Sequence, residues 1–139
     1  MIDFNYETDF ALENEDVISS WLSKVIVSED KQEGEINYIF CDDEYLLKIN
    51  LEYLNHNTLT DIISFDYSLG NELNGDIFVS VERVRDNAND FKVSFEEELR
   101  RVLVHGLLHY CGYKDKTHSE EQTMRSKEDE KLAMFHVEQ

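Results

Sequence analysis

Two histidines four residues apart, His105 and His109, have the spacing in this chain that most directly indicates chemistry. Residues four apart lie on one face of a helix, so both imidazoles would point the same way and could bind one metal ion. Gly112 follows, and because glycine adopts the left-handed conformation that reverses a chain, Asp115 could return to the histidine face as a third ligand. Three protein ligands that leave a fourth position for water are typical of a catalytic zinc site.

Other interpretations of these side chains stay open. His118 lies three residues beyond Asp115 and is the alternative third ligand. Each histidine of the pair could instead be a core residue hydrogen-bonded to backbone or water, and Cys111 is more simply a small buried thiol. His56 and His136 are assigned no function.

A zinc ion with two imidazoles and one carboxylate can lower the pKa of its bound water from about 15.7 toward about 7. His105, His109 and Asp115 would then act in catalysis through that water. Metalloproteases with a His-Glu-x-x-His motif use the glutamate as general base, but Gly106 occupies this position here, which disfavours peptide hydrolysis by that route. Asp61 is a candidate general base, although hydrogen bonding at a strand edge explains it equally well.

The surrounding pattern supplies the elements that would position this site. Alternating or continuous apolar residues predict strands at Ile2 to Tyr6, Glu35 to Cys41, Ile62 to Phe65 and Asp76 to Ser80, the last two forming a hairpin. Helices are expected from about Asn14, from Asp42 to about Tyr53, over 81–90, from the capping box at Ser94 to about Tyr110, and after a second capping box at Ser119–Gln122.

The fold class follows from this order of elements. Strands and helices mix without strict alternation, so residues 1–139 are predicted to form a single α+β domain. About four strands in a mixed sheet would pack against about five helices. The segment from Val102 to Cys111 is nearly all apolar apart from its histidines, so the core should surround that helix on most sides.

Composition restricts the classes of function. The 139 residues are 41% hydrophobic, contain two cysteines, and lack both a basic-then-apolar N-terminal signal and an apolar run of bilayer length. A cytoplasmic protein without membrane attachment or an organic cofactor is expected. The net charge of −18 argues against broad attraction to nucleic acid. Residues 1–75 carry 3 basic and 17 acidic side chains, and residues 76–139 carry 10 and 14, so an anion-binding surface would lie near the histidines.

Three ordered motifs resemble those of the YbeY family, bacterial metal-dependent endoribonucleases of ribosomal RNA maturation. The first is the histidine pair followed by Gly112, Tyr113 and a ligand position at 115. Residues 60–65 resemble the family's T-D-V-L-S-F strand, and residues 75–80 resemble its G-D-I-x-I-S strand. With a further segment near Asn50 to Leu54, the similarity spans about residues 35 to 118.

The resemblance implies one Zn²⁺ per chain, held by His105, His109 and Asp115, in an α+β fold. It implies single-strand-specific cleavage in small-subunit rRNA 3′-end maturation and ribosome quality control in the cytoplasm. The partners would be rRNA, the small ribosomal subunit, and ribosomal or assembly proteins. The basic residues flanking the histidines would neutralise RNA phosphates, unless they form only a solvated face: Arg100, Arg101, Lys114 and Lys116.

Two departures from the family pattern keep alternatives open. The family's third ligand is usually histidine in G-Y-D-H, whereas this chain has Lys114-Asp115, and the added negative charge predicts a higher pH optimum. Leu54 stands where many members have an arginine important for activity. The alternatives are a metal-dependent hydrolase of a peptide or another phosphoester, and a non-catalytic ribosome-assembly factor with a structural metal.

Overall fold

The chain forms a mixed four-stranded sheet with helices on both faces. A computed structural model describes residues 1–54 and 60–138, the last three as backbone only, so His56 and the side chain of His136 lie outside the described residues. Within these ranges the elements are β1 (Ile2–Tyr6), α1 (Glu15–Ser28), β2 (Gln32–Cys41), α2 (Asp43–Leu54), β3 (Ile62–Asp66), β4 (Glu72–Ser80), α3 (Val81–Phe91), α4 (Phe95–Tyr110) and α5 (His118–Glu138).

The sheet has the order β1-β2-β4-β3. The pairs β1/β2 and β2/β4 are parallel, and β3/β4 is the predicted antiparallel hairpin. Parallel neighbours require a crossover connection, which α1 supplies between β1 and β2. The predictions of an α+β class, a mixed sheet and five helices are therefore confirmed.

Helix α4 lies in the larger of two hydrophobic cores, on the sheet face that it shares with α1 and α5. The smaller core, under α2, is on the opposite face. Two tyrosines tie α4 to the sheet: the Tyr38 hydroxyl donates to the Leu103 carbonyl at 2.8 Å, and the Tyr110 hydroxyl donates to the Phe65 carbonyl at 2.9 Å. These bonds fix the height of α4 over the sheet, and with it the height of the histidines.

The sheet strands extend beyond their predicted starts. β2 begins at Gln32 rather than Glu35, and β4 begins at Glu72 rather than Asp76. Gly70, with φ of +59°, makes a tight turn between Leu69 and Glu72, so β4 is already paired four residues earlier than expected. Apolar alternation is weak at these exposed ends, and backbone pairing defines the strands there.

The predicted capping box of α5 was wrong by two residues. The helix begins at His118, and the Glu120 backbone N–H donates to the Thr117 hydroxyl at 3.1 Å while the Glu120 carboxylate accepts from the Thr117 N–H at 2.9 Å. This reciprocal pair is the capping box, and Ser119 is already inside the helix. The expected inward residues Met124, Leu132 and Phe135 are buried. No helix in the described residues is long and apolar enough to cross a bilayer.

Candidate metal centre

Helix α4 presents the histidine pair at the edge of the core. Its start is fixed by Ser94, whose hydroxyl accepts from the Glu97 backbone N–H at 3.1 Å, as predicted. The remaining residues of the last two turns are buried, whereas the side chains of His105 and His109 are 22% and 31% exposed. In these last two turns, the stripe that carries the imidazoles is thus the part of the helix that reaches solvent.

The segment after α4 returns to the histidines. Gly112 has φ of +104°, and the Tyr113 N–H donates to the Leu108 carbonyl at 3.1 Å, which closes the reversal. The Tyr113 hydroxyl then donates to Glu29 at 2.7 Å, and Glu29 is paired at 2.7 Å with Lys131, whose side chain is 2% exposed. This buried network anchors the segment that carries Asp115.

Three candidate ligand atoms lie close to one another. His105 Nε2 lies 3.0 Å from His109 Nε2, and Asp115 Oδ2 lies 3.2 Å from the first and 3.3 Å from the second. Ligands at about 2.0–2.1 Å from a tetrahedral zinc stand about 3.3 Å apart, so these atoms have nearly the spacing of one face of a zinc tetrahedron. No fourth His, Cys, Asp or Glu among the described residues joins the group.

The hydrogen-bond partners of the two rings determine where their lone pairs point. His109 Nδ1 lies 3.0 Å from the Tyr113 carbonyl oxygen, which can only accept, so Nδ1 carries the proton. His105 Nδ1 lies 2.6 Å from Glu128 Oε2 and donates in the same way. When each ring is neutral, as a metal ligand must be, its Nε2 holds a lone pair that faces the other Nε2 and the Asp115 carboxylate. This donor set could hold a divalent metal ion.

Glu128, on α5, holds the His105 ring at Nδ1, the nitrogen that does not face the other ligand atoms. Its carboxylate is 6% exposed, and its second oxygen lies 2.9 Å from Arg101 Nη1, while Arg101 Nη2 lies 2.7 Å from Asp129. Burial lowers the pKa of His105, but the hydrogen bond and charge of Glu128, together with the charge of Asp115, outweigh burial and leave that pKa above its ordinary value. The two carboxylates therefore favour a positive charge beside His105, which a bound metal ion would supply.

Two adjoining cavities open beside the cluster. One, of about 420 Å³, is lined by His105, Asp115, His118, Arg125 and others on α5. The second, of about 320 Å³, shares His105, Asp115 and Arg125 and adds Asp61 and Glu98. Burial raises the pKa of Asp61 against the opposing charge of His105, and burial followed by the charge of Asp61 raises that of Glu98.

The other sequence candidates are placed as follows. His118 lines the larger cavity but is outside the three-atom group, with its Nε2 3.3 Å from Gln122 Nε2. Lys114 and Lys116 are exposed on either side of Asp115. The Arg100 guanidinium lies over the Phe135 ring, 4.3 Å from its centroid, beside a different cavity, and Arg101 is held by its two carboxylates.

Cys111 and Leu54, which the sequence also singled out, lie outside the cluster. Cys111 is partly buried, and burial raises its pKa to about 11, so it stays a thiol at neutral pH. Leu54 is 42% exposed at the end of α2.

Sequence reasoning did not identify Glu128, Tyr113 or Arg125 as residues of this site. Glu128 is 23 residues from His105 along the chain, and no local pattern distinguishes it from its acidic neighbours on α5. Tyr113 contributes through its backbone carbonyl, which has no sequence signature. Both roles depend on how α5 and the returning segment pack against α4.

Gly106 shows why this helix differs from a metallopeptidase helix. A Cβ atom there would lie 2.9 Å from Ile62 Cδ1 and 3.2 Å from Ile77 Cγ2, because Gly106 faces the sheet. A glutamate side chain at this position would be forced between α4 and β3. Glycine therefore fits here without displacing these isoleucine side chains, and the general base of the His-Glu-x-x-His motif is absent.

Taken together, fold and site define a class: a small α+β protein with a two-histidine, one-carboxylate cluster on a core helix that could bind one metal ion. The family model described as Endoribonuclease YbeY matches residues 2–136. A relative named Endoribonuclease YbeY from Flavobacterium johnsoniae is 76% identical over 139 residues, 100% of both chains. Another of that name, from Flavobacterium psychrophilum, is 68% identical and covers 100% of this chain and 99% of its own. The chain belongs to the YbeY family.

A solved structure shares the fold. The solution structure of a protein from Thermotoga maritima matches with a TM-score of 0.74 and 24% sequence identity, covering 99% of this chain and 91% of the other. The likeness therefore extends over the whole architecture, including the elements that carry the cluster.

Proposed function

We propose that this protein is a zinc-dependent, single-strand-specific endoribonuclease of small-subunit rRNA 3′-end maturation and ribosome quality control, acting in the cytoplasm. Membership of the YbeY family, whose relatives carry the name endoribonuclease, supports the reaction class. The observation that carries the metal dependence is the triangle of lone pairs on His105, His109 and Asp115, with sides of 3.0, 3.2 and 3.3 Å.

We propose that the three cluster residues hold the metal and that a neighbouring carboxylate moves the proton. His105 Nε2, His109 Nε2 and Asp115 Oδ2 would hold the zinc. When bound, zinc supplies a water of lowered pKa and polarises a phosphoryl oxygen. Asp61 lines the same cavity as His105 and Asp115, and burial raises its pKa toward the range in which a carboxylate accepts protons efficiently. We assign Asp61 the role of general base.

The net negative charge of the chain favours RNA that is held on a larger particle over RNA that is free in solution. A net charge of −18 repels polyanions at long range, so productive encounter requires local contacts. rRNA held on a small ribosomal subunit, with ribosomal or assembly proteins as docking partners, supplies such contacts. Lys114 and Lys116 flank Asp115 on the exposed surface and are proposed to contact the RNA backbone.

The alternative functions are less well supported by the geometry. A peptidase of the His-Glu-x-x-His type would lack its general base, because Gly106 occupies that position. A purely structural metal would be expected in a closed site, whereas the three ligand side chains here are 22–38% exposed and border two cavities. This openness favours a site that admits substrate.

The test combines metal content with cleavage. Purified protein should contain one zinc per chain by elemental analysis and should cleave single-stranded RNA from the 3′ end of a small-subunit rRNA precursor. A chelator should abolish cleavage and added zinc should restore it. Asp115→Ala should lose both zinc and activity, whereas the matched control Asp90→Ala, at an exposed position on α3, should keep both.

Two outcomes would contradict the proposal. Cleavage that persists in chelator after the zinc has been removed would reject metal dependence. A zinc-loaded protein that cleaves no RNA would favour the assembly factor, and hydrolysis of casein instead would favour a peptidase.

A further inference from the structure

The two cavities beside the cluster, where a phosphodiester would bind, are lined by several carboxylates. The carboxylates that line the two cavities are those of Asp61, Glu98, Asp115, Glu121 and Glu128. RNA brings one negative charge per phosphate, so a cation other than the metal is needed where the strand enters. Among the described residues that line these cavities, the arginines are Arg101 and Arg125.

Arg101 is already engaged. Its guanidinium is held at 2.9 Å by Glu128 and at 2.7 Å by Asp129, and its side chain is 17% exposed. Two carboxylates offset its single charge and engage both of its terminal nitrogens, Nη1 and Nη2. Its contacts make it a support for Glu128, and thereby for His105.

Arg125 is placed differently. It is exposed on α5, one turn before Glu128, and it lines both cavities together with His105 and Asp115. Within the part of the chain that the structure describes, it has neither a hydrogen bond nor an ion pair, and its charge lowers the pKa of Glu98 against the effect of burial. Its five donors are therefore available to a ligand.

The other basic residues near α4 do not line these two cavities. Arg100 stacks over Phe135 beside another cavity, and Lys114 and Lys116 line neither of the two cavities at the cluster. We propose that Arg125 binds a phosphate of the single-stranded RNA substrate next to the His105–His109–Asp115 cluster. The planar guanidinium can take two phosphate oxygens at once, which fixes the strand as well as attracting it.

This inference rests on the proposed RNA cleavage, and its test separates the two. Arg125→Ala and Arg125→Lys are compared with Arg85→Ala, which removes the same charge from an exposed arginine that lies over Phe95 on another face. All variants are zinc-loaded and checked for zinc stoichiometry. Binding of a short single-stranded RNA is followed by fluorescence anisotropy over a range of salt concentrations, beside cleavage kinetics.

Arg125→Ala should weaken RNA binding and lower kcat/KM about tenfold, and it should reduce the slope of log K against log salt by about 0.7, the value for one phosphate contact in a single strand. Arg125→Lys should keep the slope, since it keeps the charge, but should bind more weakly because it loses the two-oxygen contact. Arg85→Ala should match the wild type in both respects.

Two results separate the hypotheses. If Arg125→Ala and Arg85→Ala have the same affinity and the same salt slope, the assignment of Arg125 is overturned even where the wild type cleaves RNA. If the wild type cleaves no RNA, the proposed function fails, and the binding measurements still decide whether Arg125 holds a phosphate.

Discussion

Replacement of Glu128 tests whether the cluster depends on the carboxylate behind it. Glu128 Oε2 lies 2.6 Å from His105 Nδ1, in a side chain that is 6% exposed. Glu128→Gln keeps the shape and one acceptor oxygen but removes the charge, whereas Glu128→Ala removes the hydrogen bond as well. The two variants therefore separate electrostatic support from orientation of the ring.

The magnitude follows from the role of this contact. Partners that orient a ligand histidine typically change metal affinity ten- to a hundredfold, or about 1.4 to 2.8 kcal/mol. Because glutamine can still accept from Nδ1, we expect about tenfold weaker zinc binding in Glu128→Gln. Glu128→Ala leaves the imidazole free to rotate and should approach a hundredfold loss.

Zinc affinity is measured by competition with a chromophoric chelator, with stoichiometry from elemental analysis. Glu130→Gln is the matched control, since it removes the same charge from the same helix at a side chain paired with Lys131 rather than with a histidine. It should bind zinc like the wild type. Equal zinc affinities for Glu128→Ala and Glu130→Gln would show that His105 needs no support from α5.

Three further outcomes are expected. Burial raises the pKa of Glu29, but hydrogen bonds from Lys131 and Tyr113 outweigh burial and leave the pKa below its ordinary 4.5. The ionised carboxylate therefore stabilises the folded protein above pH 4.5, and this contribution is lost as the pH falls through the pKa of Glu29 in the folded state. Glu29→Gln should therefore lower stability at neutral pH and flatten its decline in acid, and an unaltered acid-unfolding curve would contradict this. Gly75→Ala should destabilise by about 2 kcal/mol in urea unfolding, because its Cβ would lie 2.5 Å from the Phe65 carbonyl oxygen and clash with the Tyr110 hydroxyl; a change within error would show that β4 can shift. Asp115→His removes a negative charge from the ligand set and should move the pH–rate profile to lower pH, and an unchanged profile would reject the predicted effect of that charge.

The failed prediction for α5 shows a limit of local patterns. Residues 117–122 contain two overlapping capping sequences, Thr117 with Glu120 and Ser119 with Gln122. Both satisfy the same spacing rule, so sequence alone does not choose between them. The chain arriving from Asp115, which is held at the histidines, places Thr117 at the start of the helix.

The features that could be predicted from the sequence alone depend on neighbouring residues. Helical spacing put His105 and His109 on one face, the serine at 94 and the glycine at 112 set the ends of α4, and apolar alternation located the strands. Each of these depends on residues within about one turn or one strand of each other, where backbone geometry dictates the outcome.

The groups that complete the site come from distant parts of the chain and depend on how the helices pack. The carboxylate behind His105 comes from 23 residues away, and the anchor of the Tyr113 hydroxyl comes from 84 residues away. Arg101 turned to carboxylates on α5, while Arg125, on the same helix as those carboxylates, faces the cavities. Such contacts depend on the packing of α1, α4 and α5 in one core, since a charge on a helix surface has no preferred partner until another element is placed against it.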